Sequence, residues 1–209
     1  EVLGIKGKSL QEANEKFLQD YEIERRNDFC YLAGEEALKA AKLLLQKGMI
    51  LALKGLGGFH LACKAKDKQS VEKLRQRKRR PSKAFAVMFE SVKEVNKAVV
   101  LSPEAEKLLN SPQAPIVLLP KRKPEYLAEN IAPGLADYGV MLPSTPLHHL
   151  LLREMKEPLV MTSGNLSEEP IARDNEEAIE RLGAIADGFL IHNRPIHSRY
   201  DDSVINVVA

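Results

Sequence analysis

The 209-residue chain has no tryptophan, and only 5% of its residues are aromatic. That leaves too few rings for a broad base-stacking platform of the kind that single-stranded nucleic acids need. It has two cysteines, Cys30 and Cys63, and no CxxC pair. A disulfide framework and a cysteine zinc site are thereby excluded, and a cytoplasmic, reducing location is expected, with Cys63 a small buried hydrophobe. Apolar runs such as residues 49–53 and 115–120 fall far short of the roughly 20 residues needed to cross a bilayer. No N-terminal segment has the basic, apolar, small-residue order of a signal peptide, so no membrane partner is expected. A strong charge imbalance is also missing: 31 Lys+Arg stand against 29 Asp+Glu, a formal net charge of +2.

What is present is an ordinary globular composition, 44% hydrophobic and 29% charged, long enough for one sizeable core or a domain with an appendage. Against the balanced total, residues 73–83 (KLRQRKRRPSK) concentrate Lys73, Arg75, Arg77, Lys78, Arg79, Arg80 and Lys83 with no acid. Crowded cations repel one another, and the usual reason to keep them is an anion such as a phosphate or nucleotide. A solvated helix end is the alternative. The chain starts at Glu1 rather than Met and ends at Ala209 inside an apolar run, so a piece of a longer protein is expected.

Periodicity predicts a first helix over 9–26, where Ser9 and Glu12 fit a capping box and Leu10, Ala13, Phe17 and Tyr21 recur at near-helical spacing. The polar stretch 22–28 behind it makes residues 1–33 an expected appendage or linker helix, leaving 34–209 as the main domain. Further helices are expected over 35–47, 67–78, 91–98, from Ser102-Pro103 onward, 145–155 and 174–182, with Gly48, Pro81 and Gly183 as stops. Short apolar strands are expected at 49–53, 84–88, 115–119, 138–142, 159–162, 188–192 and 203–208. Seven such strands interleaved with helices argue for an α/β domain around a largely buried, mixed sheet.

Three stretches can carry chemistry. Lys54-Gly55-Leu56-Gly57-Gly58-Phe59-His60 follows a buried strand, where glycines let a ligand approach the backbone. It is neither a dinucleotide fingerprint, whose last glycine would fall on His60, nor a Walker loop, and a plain turn fits it as well. Thr162-Ser163-Gly164-Asn165-Leu166-Ser167 also follows a strand, at the edge where open α/β sheets bind ligands. Its hydroxyls and amide suit phosphate oxygens or an adenine amino group, with a polar Asx turn as the alternative. The run from His197 to Ser203 offers Asp201 and Asp202 to a nucleotide-borne Mg²⁺, or simply turns the chain. No G-x-S-x-G occurs, and His148 and His149, about 100° apart on a helix, read as helix residues rather than metal ligands.

Taken in order, KGLGGFHLACKA, RKRRPSKAFAVM, YGVMLPSTPLHHLLL, TSGNLSEEPI and IHNRPIHSRYDDSV closely resemble the YrdC-like domain of the HypF carbamoyltransferases, which mature nickel–iron hydrogenases. The likeness runs from about residue 35 to the end. The K-x-R…S-x-N tetrad of the wider YrdC family is matched by Lys78, Arg80, Ser163 and Asn165. The resemblance implies an open, twisted, mixed sheet with flanking helices and a concave, basic nucleotide site. It implies a reaction in which carbamate, made from carbamoyl phosphate, meets ATP and gives carbamoyl-adenylate and pyrophosphate. Full-length relatives carry an acylphosphatase domain and zinc fingers before this region, and a following domain that passes the carbamoyl group to HypE. YrdC relatives are also described as binders of double-stranded RNA, which makes RNA the rival partner; one patch of charge, rather than a long stripe, speaks against it.

By the same resemblance, Lys78 and Arg80 are the expected catalytic cations, and Arg77, Lys83, Thr162, Ser163, Asn165 and Ser167 the nucleotide-binding residues. Lys54, His60 and Ser203 are expected at the carbamoyl end. ATP with its Mg²⁺ is the expected cofactor, with no metal site or zinc in the chain itself. Pro81 is expected to turn Lys78, Arg80 and Lys83 toward Ser163 and Asn165, while Lys73 and Arg75 stay on a solvated helix face. Threonylcarbamoyl-adenylate synthases carry PTETVYGL and VRxPxHP motifs. Here His60 stands near the tyrosine, and Met141 and Thr145 replace the arginine and histidine, which removes a carboxylate clamp and disfavours threonine.

Overall fold

The computed structural model describes residues 2–6, 24–26, 29–166 and 169–207. Its strands are β1 (Val2–Lys6), β2 (Glu24–Arg26), β3 (Phe29–Ala33), β4 (Leu51–Lys54), β5 (Phe59–Lys64), β6 (Ala86–Met88), β7 (Ile116–Pro120), β8 (Asp137–Met141), β9 (Leu159–Ser163), β10 (Gly188–Ile191) and β11 (Val204–Asn206). They form one open sheet in the order β11-β7-β8-β6-β9-β5-β4-β10-β1-β3-β2. Three neighbouring pairs are parallel (β10 with β4, β11 with β7, β6 with β8) and the others antiparallel, so the sheet is mixed as expected.

Side-chain alternation in the central strands feeds two cores. Ala52, Phe59, Leu61 and Cys63 enter one, with Val71 and Leu74 of helix α2 (Lys68–Lys78). Leu51, Leu53 and Ala62 enter the other, with Ala37 and Ala41 of α1 (Gly34–Gln46) and Leu147 and Leu151 of α5 (Pro146–Met155). The short α3 (Val92–Val95), α4 (Pro103–Leu109) and α6 (Asn175–Leu182) join α2 on the first face, making three layers. The Cys63 thiol is wholly buried, and burial pushes it well above its usual range.

The seven expected strands are all present, with ends shifted by at most two residues. Four more were not anticipated. β5 is buried on both faces and so shows no alternation of polar and apolar residues to betray a strand. β1 pairs with β10 on one side and with β3 on the other, continuing the sheet beyond β10. Of the helix expected over 9–26, residues 9–23 lie outside the described residues, while Glu24–Arg26 is strand β2, because backbone pairing with β3 overrides near-helical spacing.

One further expectation is corrected. Arg75, assigned to a solvated face, is only 4% exposed. Its guanidinium donates to the carbonyls of Asn130 (2.8 Å), Ile131 (3.0 Å), Arg80 (2.9 Å) and Lys83 (3.0 Å), and lies 4.5 Å from the Phe85 ring centroid. A planar fork of five donors can serve loop carbonyls that no neighbouring strand serves. Above it, Arg79 closes α2 in the left-handed region (φ 52°), with the Arg80 N–H donating back to the Arg75 carbonyl at 3.0 Å, and the chain reverses before Pro81. Lys73 and Arg77 face the opposite way, toward Asp187 (3.5 and 2.8 Å), whose other role is to accept the Ile50 N–H at 2.8 Å.

Replacing Arg75 by Met keeps the stem and deletes the fork. The variant is expected to lose about 2–4 kcal/mol of unfolding free energy in urea titrations, because several enclosed carbonyls lose their donor. Lys97→Ala, at a surface pair with Glu94, is expected to leave the midpoint in place. Equal shifts in the two variants would refute a structural role for Arg75.

Candidate functional site

Strand register builds the site. His60 pairs with Ser163 and Leu61 with Thr162 across β5 and β9, which sets the exit of the glycine turn 55–58 beside the end of β9. The Gly164 N–H then donates to the Phe59 carbonyl at 2.6 Å, and a Cβ at Gly164 would sit 2.6 Å from that same oxygen, so the turn requires glycine.

The end of α2 meets this turn through Lys78. Its ammonium donates to the Ser163 carbonyl (2.7 Å), the Asn165 carbonyl (2.5 Å) and Asn165 Oδ1 (2.8 Å). Ser163 Oγ donates to the same Oδ1 at 2.8 Å, and Asn165 Nδ2 donates to the Glu169 carbonyl at 2.6 Å. Lys78 is 1% exposed, and burial, with Arg80 and Lys83 nearby, pushes its ammonium down to about 7. Arg80 is anchored at its tip by the Ala84 carbonyl (2.8 Å) and Thr162 Oγ1 (3.4 Å), with Phe85 beneath it. Its Nε is enclosed with no hydrogen-bond partner among the described residues.

These elements surround a cavity of about 680 Å³, within the range of small-molecule sites. One end is basic and hydroxylated, with Arg80, Lys83, Ser82, Thr162 and Ser163. An apolar wall of Phe85, Ile116, Leu118, Met161 and Ile171 offers a surface for a planar base. The remaining wall comes from the segment before β11, where Tyr200, Asp201 and Asp202 cross the glycine turn. The Tyr200 N–H donates to the Gly57 carbonyl at 3.3 Å, and Arg199 ties the segment to Glu177 of α6 at 2.8 and 3.0 Å. A second cavity of about 310 Å³ lies behind this wall and shares His60, Tyr200 and Asp202 with the first. His60 Nε2 lies 3.2 Å from Asp202 Oδ2. Burial alone would raise the Asp202 carboxyl, but the bond to His60 and the His60 and His148 rings bring it below its usual range.

Of the residues expected from the sequence, His60, Arg80, Lys83, Thr162 and Ser163 line the larger cavity. Lys78 and Asn165 stand one layer behind it, bonded to each other. Arg77 is turned away, donating to Asp187 and to the Ile185 carbonyl at 2.8 Å each, because it lies on the side of α2 that faces β10's entry. Lys54 lines neither cavity; it is 4% exposed and donates to the His192 carbonyl at 3.2 Å. Ser203 is exposed and uses its carbonyl to accept the Ile116 N–H at 2.8 Å, while its neighbours Asp202 and Val204 line the cavity. Ser167 lies outside the described residues. Met141 is packed in the second core, and Thr145 caps α5 by accepting the His148 N–H at 3.1 Å. Tyr200 and the apolar wall had not been singled out: the wall's strand residues carry the same signal as core residues, and only the aromatic inside a polar run marked Tyr200.

Among the described residues, no group of three or more His, Cys, Asp or Glu could hold a metal ion, and no helix is long and apolar enough to cross a membrane.

Residues 43–209 match the Sua5_yciO_yrdC family (Telomere recombination). The chain is 53% identical over 176 residues to the carbamoyltransferase HypF of Synechocystis sp., covering 84% of this chain and 23% of that protein. It is 28% identical over 163 residues to threonylcarbamoyl-AMP synthase of Bacillus subtilis, covering 74% of this chain and 47% of that one. A crystal structure of full-length HypF in the phosphate- and nucleotide-bound form superposes with a TM-score of 0.81 at 50% identity, over 88% of this chain and 24% of that one. Sua5 of P. abyssi, at 19% identity and a TM-score of 0.75 over 84% of this chain and 52% of its own, shares the fold alone. The chain thus spans about a quarter of the length of the HypF proteins it matches. Sequence and fold agree across the region that builds both cavities, and the chain belongs to the Sua5/YciO/YrdC family, matching the HypF carbamoyltransferases within it.

Proposed function

We propose that this domain binds ATP in the larger cavity and converts carbamate to carbamoyl-adenylate with release of pyrophosphate, as one step of carbamoyl transfer to HypE by a longer protein. The observation that carries the reading is one nucleotide-sized cavity with Arg80, Lys83 and three hydroxyls at one end and an apolar wall along the side. The matching HypF structure described as nucleotide-bound supports it.

The base lies against the apolar wall and the phosphates meet Arg80 and Lys83. A carbamate oxygen attacks the α-phosphorus; the new O–P bond forms as the bond to pyrophosphate breaks, and the electron pair leaves with pyrophosphate. Charge grows on the equatorial oxygens and the leaving group, and cations held in place beforehand need no reorganisation to meet it. Lys78 acts through the loop it holds, keeping Ser163 at the phosphates and adding charge from beneath. Mg²⁺ bound to the phosphates would offset their charge; it needs only one or two protein carboxylates, and Asp201 on the cavity wall is one. A surface that tracks an RNA backbone would need its cations outside, whereas Arg75 and Lys78 are buried and Lys73 and Arg77 are paired with Asp187.

Arg80→Ala is expected to weaken ATP binding in calorimetry by roughly tenfold and to cut carbamate-dependent ATP–pyrophosphate exchange by about 100-fold. Arg77→Ala is expected to lower the melting temperature but spare ATP affinity. If both variants lost ATP affinity alike, the phosphates would not lie at Arg80.

The lowered Lys78 value gives a pH test with opposite signs in two states. In the unliganded chain the folded value of about 7 lies below the ordinary 10.5 of the unfolded state, so the unfolded chain holds more protons between them and stability rises with pH across that window. Bound polyphosphate favours the charged form, so binding takes up protons and ATP affinity is expected to fall as pH rises from about 7 to 8.5. Lys78→Arg should flatten that dependence; an unchanged slope in this variant would assign it to another group.

A further inference from the structure

We infer that Asp202, oriented by His60, reads the amino group of the carbamoyl moiety, so that the site selects acyl groups carrying an N–H. The inference rests on the adenylation reading above and adds a determinant of acyl identity to it.

The pair stands at a charge boundary. The larger cavity is lined by Arg80 and Lys83, whereas among the described residues no lysine or arginine lines the smaller one, and His60, Tyr200 and Asp202 belong to both walls. Carbamate has two ends of opposite demand, a pair of anionic oxygens and an NH₂ with two donors. Its oxygens are drawn to the cations and the α-phosphate, which leaves the NH₂ pointing at the boundary. The ionised carboxylate waiting there is an acceptor only. The side chain of Asp202 keeps 30% of its surface accessible, while that of His60 keeps 10%, so the carboxylate is the group a ligand can touch and the imidazole the one that holds it.

The tautomer follows from the partner. An ionised Asp202 can only accept, so His60 Nε2 carries the proton it shares with Oδ2. Among the described residues His60 Nδ1 is enclosed with no hydrogen-bond partner, so the ring is held by its bond to Asp202 and by edge packing against the His148 ring, centroid to centroid 5.9 Å. A Cβ on Gly55 would come within 2.9 Å of that nitrogen, and the glycine turn thereby gives the ring its place. The smaller cavity provides room on the far side for the NH₂ and a water, beside the polar side chains of Ser111, Gln113 and Ser144.

Acetate is the natural control, since it replaces NH₂ by a methyl group of nearly the same size. In the wild-type chain the carboxylate of Asp202 would then lose its donor while still being removed from water, a cost that translates to roughly 10- to 100-fold in selectivity. The test is ATP–pyrophosphate exchange driven by ammonium carbamate or by sodium acetate, with ATP affinity measured by calorimetry on the same proteins. Asp202→Asn is expected to raise the KM for carbamate at least about tenfold and to collapse the carbamate-to-acetate ratio toward unity, with ATP affinity unchanged. His60→Ala should do the same and His60→Gln, which keeps a donor for Asp202, should restore part of the ratio. A carbamate-to-acetate ratio unchanged in Asp202→Asn, or lost together with ATP affinity, would overturn the inference while leaving adenylation standing. A wild-type chain that binds ATP but shows no carbamate-dependent exchange would overturn both.

Discussion

The contact on which the site depends is the Lys78 ammonium against the Ser163–Asn165 loop. It joins the last turn of α2 to the end of β9, two elements 85 residues apart in sequence, through three oxygens within 2.8 Å. Each partner needs the other. The loop turns its carbonyls inward, where without a cation they would be buried acceptors, and the ammonium is cut off from water and would be costly without them. Two nearby cations make its charged state less comfortable still, which is why its proton is held so loosely. A fold that tolerates this arrangement gains from an anion close by, and the cavity above the loop is where one would lie.

This constraint explains how seven like charges can share eleven residues without tearing α2 apart. They are dispersed by geometry. Lys73 and Arg77 lean to Asp187; Arg75 is enclosed by loop carbonyls; Lys78 lies under the turn; Arg80 and Lys83 face the cavity. The left-handed Arg79 makes the division possible, since it ends the helix and sends the chain back over its own last turn. Arg75 then binds that reversed segment from below, so the residue that most stabilises the basic loop is itself basic. The charge cluster is thus a scaffold first, with two of its members free to meet a ligand.

Much of this was legible in the chain. Helix stops at Gly48, Pro81 and Gly183 and the apolar strand runs mark element ends that local chemistry dictates. The tetrad of Lys78, Arg80, Ser163 and Asn165 was legible as a motif, and the structure brings its members together. What was not legible depends on partners distant in sequence. Nothing local distinguishes Arg75 from Arg77, for their roles differ only by which side of α2 meets a loop 55 residues away. β5 hides because burial on both faces erases its period, and the side chain of Lys54, expected at the carbamoyl end from the resemblance, runs to the His192 carbonyl, a partner 138 residues away.

The acyl end follows from electrostatics more than from shape. Relatives that use threonine must hold a second carboxylate, and the positions the sequence comparison sets against their arginine and histidine are here a core methionine and a helix cap. Met141 and Thr145 are therefore committed to packing and to starting α5, and neither can be turned back into a clamp without disturbing the fold. The cations lining the larger cavity are Arg80 and Lys83, and a nucleotide's phosphates would occupy both. An amino-acid carboxylate entering beside them would meet Asp202 instead, unpaired and at close range, where like charges in a partly dry site repel strongly. A substrate whose far end donates hydrogen bonds meets the same carboxylate as an attraction. The residue that excludes the larger, doubly charged acyl precursor is on this account the one that retains the small one, and a single acid at the boundary between the cavities sets both preferences.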